Sequence, residues 1–120
     1  MRLDFEEKRK GKLRMKSIKL IVAYPQPKDV SAFDKIYQEE HVPMAIAKLA
    51  GKTKMVATKI LSPHGESPFY RVAEVHFPSM EALQQCAGSA GGKETLANAA
   101  KISSGGPPVI MIAEEDTFTF

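Results

Sequence analysis

The segment Ser17-Ile18-Lys19-Leu20-Ile21-Val22-Ala23-Tyr24 constrains the fold more than any other stretch of the chain. Ile18, Leu20, Val22 and Tyr24 fall on one face of a period-two strand, and Lys19, Ile21 and Ala23 on the other. Both faces are largely apolar, which marks a central strand that must be covered on two sides. Pro25 and Pro27 end it. A chain of 120 residues holds one domain and one core, so few elements are left to do the covering.

A helix follows, capped by Asp29 or Ser31. Its apolar positions, Phe33, Ile36, Tyr37, His41, Met44 and Ala45, recur at three- and four-residue spacing, and Gly51 stops it. Pro43 lies inside this pattern and disfavours helical geometry at Val42, so a kink or break just after His41 is expected. Met55–Leu61 reads as a second strand, and the loop 62–68 leaves His64 in solvent. Phe69–Phe77 is a third strand. Ser79 caps a short helix from Met80 that Gly88 ends, an Ala-rich helix spans 93–102, and Val109–Ala113 is the fourth strand.

The order β-α-β-β-α-β closes as a four-stranded antiparallel sheet with both helices on one face, a ferredoxin-like α+β domain. The second sheet face keeps Ile, Val and Phe where a solvated face would be polar. A second copy of the chain covers such a face most simply, so a homodimer through the sheet face is expected.

Charge narrows the partners. Residues 1–16 hold seven basic and three acidic groups, a balance of +4, while the whole chain carries +3, so residues 17–120 sum to −1. Residues 1–16 read as a flexible basic extension and residues 17–120 as the domain. A neutral body argues against nucleic acid. No apolar run approaches a membrane span, and the first fifteen residues lack the apolar stretch of a signal peptide, so a cytoplasmic location is the expectation. Cys86 is the single cysteine and reads as a packing residue. No metal or cofactor pattern is present, and a lone His41 is too little for a haem site; no cofactor is expected.

The residues that can carry chemistry cluster in one helix. Tyr37 and His41, four apart, share its face, and an imidazole exchanges a proton near neutral pH. His41 is the candidate acid/base and Tyr37 the orienting donor. His76, two residues from Glu74 on the third strand, either joins His41 in a pocket or faces the dimer interface. Phe33, Tyr24 and Met44 are the expected substrate-facing wall.

Tyr24-Pro25, Phe33-Asp34, Tyr37 and His41-Val42-Pro43 together resemble the EthD family of the dimeric α/β-barrel superfamily. Phe69-Tyr70, Ala73-Glu74, Phe77-x-Ser79, Glu81-Ala82-Leu83 and Ser89-x-x-Gly92 extend the resemblance over about residues 17–116. It implies a ferredoxin-like protomer that pairs with a second copy into a barrel. It also implies a link to breakdown of ethyl tert-butyl ether or a related small oxygenated metabolite, with an oxidoreductase or isomerase-type activity that needs no cofactor. The alternative is a non-catalytic ligand-binding or accessory dimer assisting an oxygenase system. Where members of the family often carry an Asp and an aromatic residue before the last strand, this chain has Ala97-Asn98 and Ile102.

Overall fold

A computed structural model describes residues 2–3, 14–62 and 67–120. Its elements are β1 (Arg2–Leu3), β2 (Arg14–Pro25), α1 (Val30–Ile36), a π-helical turn (Tyr37–His41), α2 (Val42–Lys48), β3 (Lys54–Lys59), β4 (Phe69–Phe77), α3 (Met80–Gly88), α4 (Ala90–Ile102) and β5 (Val109–Phe118). The four principal strands lie in the order β5-β2-β4-β3 with every neighbouring pair antiparallel, and β1 adds a two-residue ladder on Met15 and Lys16. Because β4 separates β2 from β3, and β2 separates β4 from β5, each helical segment crosses over one strand. That is the expected ferredoxin-like α+β arrangement. The central strand starts at Arg14 rather than Ser17, and the last strand runs on to Phe118 because residues 14–18 pair with residues 114–118. Most of the expected basic extension, and His64, lie outside the described residues.

Local chemistry explains the boundaries. Asp29, not Ser31, caps α1 by accepting the Ala32 N–H at 3.0 Å, and Ser79 caps α3 through the Ala82 N–H at 3.1 Å. Gly51 turns the chain after α2 at φ +86°, a conformation glycine adopts without steric cost. Ser89 ends one helix and starts the next: its hydroxyl donates to the Cys86 carbonyl at 2.6 Å and accepts the Gly92 N–H at 3.0 Å. This double cap starts α4 at Ala90, three residues before the expected start. It also brings Gly92 so close to the preceding turn that a Cβ there would lie 1.9 Å from the Cys86 carbonyl oxygen.

Pro43 breaks nothing. The helical ladder slips by one residue, the Val42 N–H bonds the Tyr37 carbonyl, and Val42 keeps right-handed helical angles. Pro43, which has no N–H to offer, then sits in the first turn of α2, where none is needed.

The core lies between sheet and helices. Leu20, Val22 and Tyr24 of β2 and Val75 and Phe77 of β4 pack against Phe33, Tyr37, Leu49, Leu83, Ala99 and Ile102. The opposite sheet face carries Lys19, Ile21 and Ala23 beside their partners His76, Glu74 and Val72.

Candidate functional site

Three elements place polar groups at one spot in the core. The π turn directs Tyr37 and His41 inward together, their rings stacked at 5.8 Å and 25°. β2 brings the Tyr24 hydroxyl to 3.2 Å from His41 Nε2, and α4 brings Asn98 Oδ1 to 2.7 Å from His41 Nδ1. His41 is 6% exposed and Tyr24 wholly buried, so both polar groups depend on these bonds.

The tautomer follows from the amide oxygen that Asn98 presents to Nδ1. An amide oxygen only accepts, so Nδ1 carries the imidazole proton and Nε2 keeps its lone pair for the Tyr24 O–H. Burial lowers the His41 pKa from its ordinary 6.5, and the Asn98 hydrogen bond offsets this only in part. His41 is therefore a neutral base at pH 7. Burial raises Tyr24 well above its ordinary value, with the neighbouring Tyr37 adding to the effect, so its proton stays on the phenol. Tyr37 is raised by burial too, against the charge of Arg71, whose guanidinium lies 5.1 Å from its ring centre. Arg71 is held by Asp34 at 3.6 Å, and Asp34 accepts the Tyr70 hydroxyl at 2.8 and 2.9 Å.

Beside this relay lies a cavity of about 200 Å³, walled by Leu20, Val22, Ala45, Leu49, Leu96 and Ala99 together with Tyr24, Tyr37 and His41. An apolar cavity of about 150 Å³ accommodates benzene, so the space suits one compact molecule.

The sequence candidates separate into two groups. Tyr24, Tyr37 and His41 meet at the cavity. Phe33 stands behind them, stacked on Tyr37 at 5.5 Å and edge-on to Tyr24 at 5.4 Å, and supports the wall without forming it. Met44 is half-buried on α2 and does not line the cavity. His76 does not join His41. It pairs with Lys19 across the ladder and lies on the opposite sheet face, with Nδ1 3.8 Å from Glu115. Lys19 completes that cluster, 2.5 Å from Glu74 and 3.0 Å from Glu115. The sheet itself separates the two histidines. Tyr24, and not Tyr37, is the hydroxyl that bonds His41. Asn98 is the residue sequence reasoning missed, although its place one helical turn from Thr95 and Ile102, both buried, puts it on the inward face of α4.

The EthD domain matches residues 25–102, which hold the π turn and Asn98. The chain belongs to the EthD family. An uncharacterized 11.0 kDa protein of the thcB-thcC intergenic region of Rhodococcus erythropolis is 30% identical over 98 residues, covering 81% of this chain and 94% of that one. Among solved structures, an ethyl tert-butyl ether (EthD) family protein from Bacillus halodurans is 38% identical, with a TM-score of 0.75 over 82% of this chain and 98% of its own. A dimeric protein of unknown function and ferredoxin-like fold from Bacteroides fragilis shares the fold at 13% identity and a TM-score of 0.57, over 84% of this chain and 96% of its own. Among the described residues no group of His, Cys, Asp and Glu could hold a metal ion, and no helix is long and apolar enough to cross a membrane.

Proposed function

We propose that this EthD-family protein takes up a small, largely apolar oxygenated molecule, of the kind met in breakdown of ethyl tert-butyl ether, and moves a proton on it without a cofactor. The observation that supports this reading is the Asn98–His41–Tyr24 relay at the wall of an otherwise apolar cavity. Asn98 holds the proton on Nδ1 and Nε2 is the acceptor. Tyr24 carries the proton between that nitrogen and the ligand, and Tyr37 offers a hydroxyl to orient a ligand oxygen. Such a relay fits an isomerase-type step, or deprotonation of a substrate whose carbanion or enolate then passes its electrons to dioxygen as the oxidant.

The test is native mass spectrometry of the purified protein beside His41→Ala, followed by turnover assays on whatever is found. Wild-type protein should carry a small-molecule mass that the variant loses, and should convert that molecule. Ligand-free protein in both cases refutes the reading. A second reading, a non-catalytic binding or accessory protein, is supported by the cavity wall holding a single imidazole, His41, with no carboxylate or amine among its lining residues. Ligand mass with no turnover selects it.

The same reading has the protein working as a homodimer. Val109, Ile110, Met111 and Ile112 are consecutive on β5, alternate between its two faces and are all 41–53% exposed. A strand apolar and open on both faces, at the edge of a sheet, is covered most simply by a second copy of itself.

A further inference from the structure

The donors and acceptors around the cavity are not balanced. Tyr24 spends its only proton on His41 Nε2 at 3.2 Å, and His41 spends its own on Asn98 at 2.7 Å. Thr95, which also lines the cavity, donates its hydroxyl proton to the Gly91 carbonyl at 2.7 Å. Each of these oxygens keeps acceptor capacity and has no proton to give. The Tyr37 hydroxyl enters none of these bonds, and Tyr37 lines the same cavity. The wall thus offers a donor in Tyr37 and an acceptor in the Tyr24 oxygen.

We infer that the cavity selects a ligand with a hydroxyl group, a compact alcohol, phenol or enol, over an ether of the same size. A hydroxyl accepts from Tyr37 and donates to Tyr24. An ether oxygen accepts from Tyr37 and leaves the Tyr24 oxygen facing hydrocarbon. A site built around a substrate hydroxyl discriminates strongly against analogues lacking it, because its own polar groups are then left unpaired. The inference rests on the cavity being a ligand site and names what that site takes.

Isomeric pairs isolate the effect because volume and composition stay constant: benzyl alcohol against anisole, and 2-methyl-2-butanol against methyl tert-butyl ether. Dissociation constants come from ¹H–¹⁵N chemical-shift titration of the intact protein, with the His41 ring nitrogens locating the site. The alcohol of each pair should bind on the order of tenfold or more tightly than its ether, and in Tyr24→Phe the ratio should fall to about one. Equal affinities in wild-type protein, with His41 shifts showing that both ligands occupy the cavity, overturn the inference and leave the pocket reading standing. Failure of all four compounds to perturb the cavity overturns both. The wild-type ratio decides the matter even if Tyr24→Phe does not fold.

Discussion

Replacing Asn98 by Asp keeps the shape of the relay and changes its charge. In wild-type protein burial disfavours the imidazolium of His41 more than the amide oxygen 2.7 Å from Nδ1 can compensate, so the pKa lies below 6.5. A carboxylate in the same place attracts the imidazolium by about 4 kcal/mol at 4 Å and an effective dielectric of about 20. Removing the new carboxylate from water opposes this, in part only, because Asn98 is half-buried. A net gain of roughly 1.5–3 kcal/mol corresponds to a rise of about one to two pKa units from the lowered wild-type value.

The pH dependence of folding shifts with it. In wild-type protein the unfolded chain takes up the His41 proton more readily than the folded one, so this group costs stability as pH falls below about 6.5 towards the lowered folded value. In Asn98→Asp the folded state binds the proton more tightly. The stability that wild-type protein loses as pH falls below about 6.5 is then recovered in proportion to the rise in the folded pKa. The assay pairs NMR titration of the His41 ring with urea unfolding at pH 5.5 and pH 8. Comparing variant with wild type at each pH cancels every titrating group except His41 and the new carboxylate. A folded Asn98→Asp protein whose His41 titrates no higher than in wild type would refute the assignment of Asn98 as its partner.

Other substitutions test the cavity, the fold and the assembly. Ala99→Leu projects three carbons from a buried wall position into the cavity; it should weaken benzyl alcohol binding more than tenfold and change stability by less than about 1.5 kcal/mol, and undiminished binding would remove the ligand from this cavity. Gly92→Ala drives a Cβ to 1.9 Å from the Cys86 carbonyl oxygen and 2.8 Å from its carbon, both backbone atoms. Thermal unfolding should report a loss of about 3 kcal/mol, and an unchanged melting temperature would show that the double cap at Ser89 is not held this tightly. Ile21→Lys puts a charge on the open sheet face opposite Met111 and should yield monomer in analytical ultracentrifugation, where a retained dimer mass would sink the sheet-face assembly. Val22→Lys is no substitute, since Val22 faces the helices and is buried.

Much of the fold was legible in the chain because the signals were local. Alternation in residues 17–24 and 69–77, caps at Asp29 and Ser79, and Gly51 at a helix end each act over a few residues, and each appears where expected. The four-residue spacing of Tyr37 and His41 likewise announced a shared face, and family motifs agreed with it. The π turn was not legible: Pro43 signalled a kink or break, and the ladder slips by one residue instead.

The site itself is a product of tertiary structure. His41 meets Tyr24 across 17 positions and Asn98 across 57, and no periodicity within one element reports contacts of that range. His76 shows the same limit from the other side. Its type and spacing suggested a partner for His41, yet pairing with Lys19 put it on the far face, because a strand sends successive side chains to opposite sides. By itself the sequence determined the elements, their order and a sheet face in need of cover, since these follow from backbone geometry and the separation of polar from apolar groups. Which hydroxyl gives its proton to His41, and hence which groups remain for a ligand, was decided only when three distant elements packed around one imidazole.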